Sequence, residues 1–146
     1  MIDGMRLTHV GMCVTDLERS TRFYVEALGF TEGRRMSFAD ESTATLLAVD
    51  GLDLELVYLD RDGFTLELLG FRNPTVTTDG TPRRMDAVGL THLSVRVADP
   101  DAVTERIVQH GGSVQWDREV TFSGARGLMA LDPDGNRIEL IEWRSR

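Results

Sequence analysis

The chain repeats itself. A duplicated unit constrains the fold more than any single motif can, because both copies have to close on the same arrangement. Leu7-Thr8-His9-Val10 matches Leu90-Thr91-His92-Leu93 at an offset of 83 residues, and the same offset aligns Val14 with Val97, Asp16 with Asp99 and Gly29 with Gly112. Further on, Asp60-Arg61-Asp62-Gly63-Phe64-Thr65-Leu66-Glu67-Leu68 matches Asp132-Pro133-Asp134-Gly135-Asn136-Arg137-Ile138-Glu139-Leu140 at an offset of 72. The offsets differ by 11, so the first copy carries 11 extra residues between its helix and its last strand.

Hydrophobic spacing gives each copy its elements. Residues 6–14 alternate, with Val10, Met12 and Val14 on one side, which predicts a half-buried strand. A helix follows, with Asp16 as N-cap, Leu17, Tyr24, Ala27 and Leu28 at helical spacing and Gly29 at its end. Strands are expected over 31–38, over 44–59 with a break at Asp50-Gly51, and over 64–71 after a hairpin turn at Asp62-Gly63. The second copy predicts a strand over 90–97, a helix over 100–110 ending at Gly111-Gly112, and strands over 113–120, 125–131 and 136–143. The fold class is therefore α+β: two tandem βαβββ units, 6–71 and 90–143, within one domain spanning 1–146. The turn-rich stretch 72–89 reads as the linker.

Strand parity then sorts the side chains, since alternate residues face opposite sides of a sheet. Val10, Met12 and Val14, and likewise Leu93, Val95 and Val97, share the side that packs on a helix, which sends His9 and His92 the other way. In the last strand of each copy Leu66 and Leu68, like Ile138 and Leu140, face the helix. Glu67 and Glu139 fall opposite. Two His and two Glu thus lie at repeat-equivalent positions on the helix-free face of their sheets.

Composition removes several function classes. All 16 basic residues are Arg, and a chain without Lys has no ε-amine for a Schiff base or a phosphate loop. The single Cys13 excludes an internal disulfide and a Cys-rich zinc site, and it reads as a small buried thiol. A net charge of −8 with no basic stripe argues against nucleic acid. No apolar run approaches a membrane span and the N-terminus lacks a signal pattern, so the expectation is a cytoplasmic protein with no membrane partner.

The stretches LTHVGMCVTDLERSTRFYVEALGF, GLTHLSVRV and DPDGNRIELIEW, in this order within a βαβββ duplication, resemble the vicinal oxygen chelate superfamily, which includes glyoxalase I, methylmalonyl-CoA epimerase, extradiol dioxygenases and bleomycin-resistance proteins. The resemblance implies that each unit curls into a half barrel with its first and last strands side by side, and that the units form a metal-containing cleft. It implies metal ligands at His9, Glu67, His92 and Glu139, with Glu67 and Glu139 also catalytic, and a homodimer. Two neutral nitrogens and two carboxylates balance one divalent ion, with Zn, Ni, Co, Mn and Fe all conceivable.

Glu55 competes with Glu67, because Asp50-Gly51-Leu52-Asp53-Leu54-Glu55-Leu56 has the same pattern and lies 46 residues after His9, against 47 from His92 to Glu139. Glu67 is preferred as a member of the last strand. Arg96 and Arg137 share the parity of the ligands and are candidates to meet an anionic substrate group, while Leu69, Phe71, Ile141 and Trp143 are candidates for an apolar substrate wall or for plain packing. His110 reads as a helix C-terminal residue favoured by the dipole.

The leading functional expectation is a metal-dependent lyase, isomerase or epimerase that removes a proton next to the carbonyl of a small molecule or thioester. Cys13 stands where glutathione-using relatives of the bacterial type carry Arg, and no cluster marks a CoA phosphate. The alternatives are an Fe(II) extradiol-type dioxygenase using His9, His92 and Glu139, and a non-catalytic protein that sequesters an antibiotic or metabolite.

Overall fold

A computed structural model describes residues 3–143, which form two sheets in two compact units. The first unit takes the chain up to Thr21 together with Gly29–Thr77. Its sheet has the order β1-β4-β3-β2, built from β1 (Val10–Val14), β2 (Thr31–Phe38), β3 (Asp53–Arg61) and β4 (Phe64–Asn73). β1 runs parallel to β4, and the other pairs are antiparallel. Asp16 caps helix α1 (Leu17–Arg22) by accepting from the Arg19 amide at 2.9 Å, and the helix continues as one π-helical turn, Phe23–Ala27. Gly29 then turns the chain at φ +72°, a conformation that costs a residue with a Cβ.

Parity works as expected on the helix side of this sheet. Val57, Leu59, Leu66 and Leu68 are buried there, and α1 lies close enough that a Cβ on Gly70 would stand 2.8 Å from the Cβ of Leu17. The opposite face departs from expectation. Of the stretch read as strand over 44–59 with a break at Asp50-Gly51, the part before the break is a helix, α2 (Glu41–Leu47), and the part after it is β3; α2 accounts for the extra length of the first copy. Its Ala44, with Val49 behind it, packs against Leu52, Leu54 and Leu56, joined by Leu69 and Phe71. Register sets Leu54 opposite Phe71 and Leu56 opposite Leu69, so this cluster shares the face of Glu67. That face is therefore not helix-free: α2 covers one end of it.

The second unit takes Arg22–Leu28 and the chain from Thr78 onward. Its sheet has the order β5-β9-β8-β6, from β5 (His92–Val97), β6 (Ser113–Val114), β8 (Ala125–Leu131) and β9 (Arg137–Glu142), with β7 (Val120–Phe122) also paired to β8. β5 runs parallel to β9, repeating the β1–β4 relation. The strand expected over 113–120 is broken: β6 has two residues, and a 3-10 turn at Trp116–Arg118 leads into β7. Helix α3 (Pro100–Gln109) is capped by Asp99, with Pro100 in its first turn where no amide is needed. Ile107, Ile138 and Leu140 are buried, and the close approach of Phe23 and Ile107 requires Gly112 to lack a side chain. The buried Tyr24 hydroxyl donates to Asp132 at 2.9 Å, and Asp132 also gathers the amides of Asp134 and Asn136 in the DPDGN turn. Among the described residues no helix is long and apolar enough to cross a membrane.

Candidate metal centre

The first His–Glu pair follows from strand order. With β1 and β4 adjacent and Gly11 opposite Glu67, His9 just before β1 brings its Nε2 to 3.4 Å from Oε2 of Glu67. Strand β1 starts one residue after His9, not at residue 6 as the alternation suggested. Thr8 Oγ1 lies 3.0 Å from Nδ1 of His9, and when that hydroxyl accepts the Nδ1 proton, Nε2 is left with its lone pair toward the carboxylate. Tyr58, opposite Glu67 in the β3–β4 register, sets its ring edge-on to His9 at 5.4 Å between centroids. Burial first, then the neighbouring Glu67 carboxylate, push its phenol above the ordinary range while Arg34 pulls the other way.

The second pair has the same frame with different support. Nε2 of His92 stands 3.7 Å from Oε2 of Glu139, and Thr91 Oγ1 lies 2.8 Å from Nδ1 of His92. Here Ser94, opposite Glu139 in the β5–β9 register, donates to Oε2 of Glu139 at 2.6 Å, and the residue opposite Glu139 on β8 is Met129. The supporting Tyr58, Ser94, Thr8 and Thr91 escaped the sequence reading. The two Thr were visible, since each belongs to a repeated Leu-Thr-His, but cross-strand register was needed for the others.

Glu55 lies on the opposite face from Glu67. It faces Gly70 in the β3–β4 register, on the side of Val57 and Leu68, and pairs with Arg72 at 3.0 Å and Arg35 at 3.5 Å. The remaining candidates separate by place. Arg137 and Ile141 border a cavity of about 320 Å³ beside Glu139. Leu69 and Phe71 belong to the cluster under α2. Arg96 is exposed on the His92 side of β5, Cys13 is exposed on the His9 side of β1 although a buried thiol was expected, and Trp143 is 61% exposed. His110 caps α3 and pairs with Glu26 at 3.1 Å.

The donor types suit a divalent cation. Two ligand atoms each about 2.1 Å from one ion lie roughly 3.0 to 3.4 Å apart, and the separations of 3.4 and 3.7 Å in the two pairs stand close to that range. Each pair is a two-donor set: among the described residues no group of three or more His, Cys, Asp or Glu is gathered to hold a metal.

Residues 6–140 match the family model of the Glyoxalase/Bleomycin resistance protein/Dioxygenase superfamily. The chain belongs to this superfamily. It is 32% identical over 145 residues to the lactoylglutathione lyase of Neisseria meningitidis, a match covering 97% of this chain and 93% of that protein. It is 29% identical over 143 residues to the protein YaeR of Escherichia coli strain K12, covering 97% of this chain and 99% of the relative. A glyoxalase family protein from Bacillus cereus superposes with a TM-score of 0.82 at 18% identity over 97% of this chain and 98% of that one, which is a likeness of fold.

Proposed function

We propose that this superfamily member is a metal-dependent lyase or isomerase that moves a proton at the carbon next to the carbonyl of a small molecule, and that His9, Glu67, His92 and Glu139 are its metal ligands. The observation that carries the reading is the repeated geometry: in each unit a Thr hydroxyl sits on Nδ1 of a His whose Nε2 faces a Glu. A lone His beside a Glu is an ordinary surface pair, but its recurrence with the same Thr in both copies needs a shared cause.

A divalent cation held by these residues would supply Lewis-acid stabilisation of the negative charge that develops on a carbonyl oxygen as the adjacent proton leaves. The chain supplies the rest. Thr8 and Thr91 fix the imidazole orientations, Ser94 holds the Glu139 carboxylate, and Tyr58 stands opposite Glu67. Glu139 borders the cavity, which supports it as the carboxylate that takes the proton and returns it, while Glu67 is the more enclosed of the two, its side chain 12% exposed.

Metal analysis of untagged protein tests the ligands: about one divalent ion per chain is expected, with affinity reduced at least tenfold in His9→Ala and in His92→Ala. Deuterium incorporation next to a carbonyl, measured across a panel of 2-hydroxy and 2-methyl carbonyl compounds, tests the chemistry. Unchanged metal content in both variants would refute the site, and oxygen uptake with a catechol and Fe(II) would replace the reaction class by a dioxygenase.

A further inference from the structure

The cavity beside Glu139 lies wholly in the second unit and has a definite chemistry. Its apolar wall comes from Val120, Phe122, Met129 and Ile141. Gly127 makes room for it, since a Cβ there would stand 2.8 Å from the ring of Phe122 and 3.5 Å from Cδ1 of Ile141. Space shaped by an aromatic ring, a thioether and branched side chains suits an aryl or branched-alkyl group.

The polar lining is cationic and holds an unmet acceptor. Arg118 and Arg137 stand against the single carboxylate of Glu139, so the lining is positive in a chain whose net charge is −8. Arg137 is tethered by its bond to the backbone carbonyl of Arg83. Arg118, on the 3-10 turn, approaches Asp117 only to 4.0 Å, beyond hydrogen-bond reach. Gln115 also lines the cavity, anchored by its amide on the Met129 carbonyl at 2.8 Å. Its Oε1 is sealed from solvent, and among the described residues nothing donates to it. A buried acceptor without a donor is costly, and a rotation of the Gln115 amide that turns Oε1 to a ligand hydroxyl in the cavity would relieve it.

We propose that this cavity is the specificity pocket for a small hydroxy-carboxylate bearing an aryl or branched-alkyl arm: Arg118 receives the carboxylate, Gln115 accepts from the hydroxyl, and the Phe122–Met129–Ile141 wall takes the arm. The assignment deepens the proton-transfer reading by naming its substrate class, and it rests on that reading only for the chemistry that follows binding. Neither Gln115 nor Arg118 is a metal ligand in that reading, so binding can be measured apart from turnover.

Calorimetric titration of the full chain, as purified and after chelator treatment, compares racemic mandelate with phenylacetate, which lacks the hydroxyl, and with mandelamide, which lacks the charge. In both preparations mandelate should bind at least tenfold tighter than mandelamide and several-fold tighter than phenylacetate. Arg118→Gln should weaken mandelate at least fivefold while mandelamide changes little, and Gln115→Leu should erase the preference for mandelate over phenylacetate. Both substitutions lie on a half-buried or exposed turn, and circular dichroism verifies that the variants fold. Equal affinity for the three probes, no binding of any, or an Arg118→Gln variant indistinguishable from the parent would overturn the assignment. The metal reading fails by a different result, unchanged metal content in the His→Ala variants, so the two are told apart.

Discussion

The Ser94 hydroxyl donates to Oε2 of Glu139 at 2.6 Å, whereas the repeat-equivalent residue beside Glu67 is Gly11, where a Cβ would already lie 3.3 Å from the carboxylate. The duplication therefore kept the His–Glu pair and changed its surroundings, a hydrogen-bonding strand neighbour for Glu139 and the cross-strand phenol Tyr58 beside Glu67. Partners that orient a ligand without touching the metal typically contribute 10–100-fold to metal affinity. Ser94→Ala and Tyr58→Phe should each weaken metal binding by about that factor, measured by competition with a chromogenic chelator. An unaltered affinity in both would mean that neither hydroxyl sets the carboxylate.

The two competing carboxylates separate cleanly. Glu67→Gln should lower metal affinity, while Glu55→Gln should leave it unchanged, because parity puts Glu55 on the other side of the sheet with Arg72 and Arg35. Those ion pairs are partly exposed, so Glu55→Gln should cost no more than about 1 kcal/mol of stability by urea titration. The opposite ranking in metal affinity would place the ligand on β3.

What could be read from the sequence was whatever depends on alternation alone. Parity put His9, Glu67, His92 and Glu139 opposite the buried Leu66, Leu68, Ile138 and Leu140, and the structure places them so. Helix α2 escaped because seven residues are too few for a period to show, and Leu46, one of its two Leu, is 82% exposed. Thr and the neighbouring Leu-rich DGLDLEL instead mimic a strand. The strand expected over 113–120 is broken for a related reason: the apolar Trp116 and Val120 look like strand core yet are exposed, on a turn and at the start of a short outer strand. Tyr58 and Ser94 act across strands, and a partner set by register is not written in the spacing of either strand.

Tyr24→Phe isolates a bond in the second unit. Asp132 is buried and held by the Tyr24 hydroxyl, the Asn136 side chain and two turn amides; burial nevertheless raises its pKa above the ordinary carboxylate range. Removing the hydroxyl leaves the ring in place and takes one donor from a buried acceptor, a loss of about 1–3 kcal/mol. Denaturant unfolding should show that loss with an unchanged slope, and metal affinity should stay at the parent value.

Helix α2 supplies a prediction in pH. The Asp40 carboxylate caps it, accepting from the Thr43 amide at 2.9 Å and the Thr43 hydroxyl at 2.8 Å, and these bonds, the amide first, lower its pKa from the ordinary 3.8. A group with a depressed folded value contributes above its unfolded value, so the cap is fully present above pH 3.8 and is lost as pH falls through the lowered value. Asn keeps the capping oxygen without the titration. Helical Cα chemical shifts over residues 43–47 should therefore decline in acid in the parent, vary much less with pH in Asp40→Asn, and be weak already at neutral pH in Asp40→Ala. Because α2 covers the Leu54–Leu56–Phe71 cluster, fraying should also raise the solvent exposure of Met36, read by its rate of oxidation. If Asp40→Asn loses its helical shifts in acid as the parent does, another carboxylate controls the lid of this cluster.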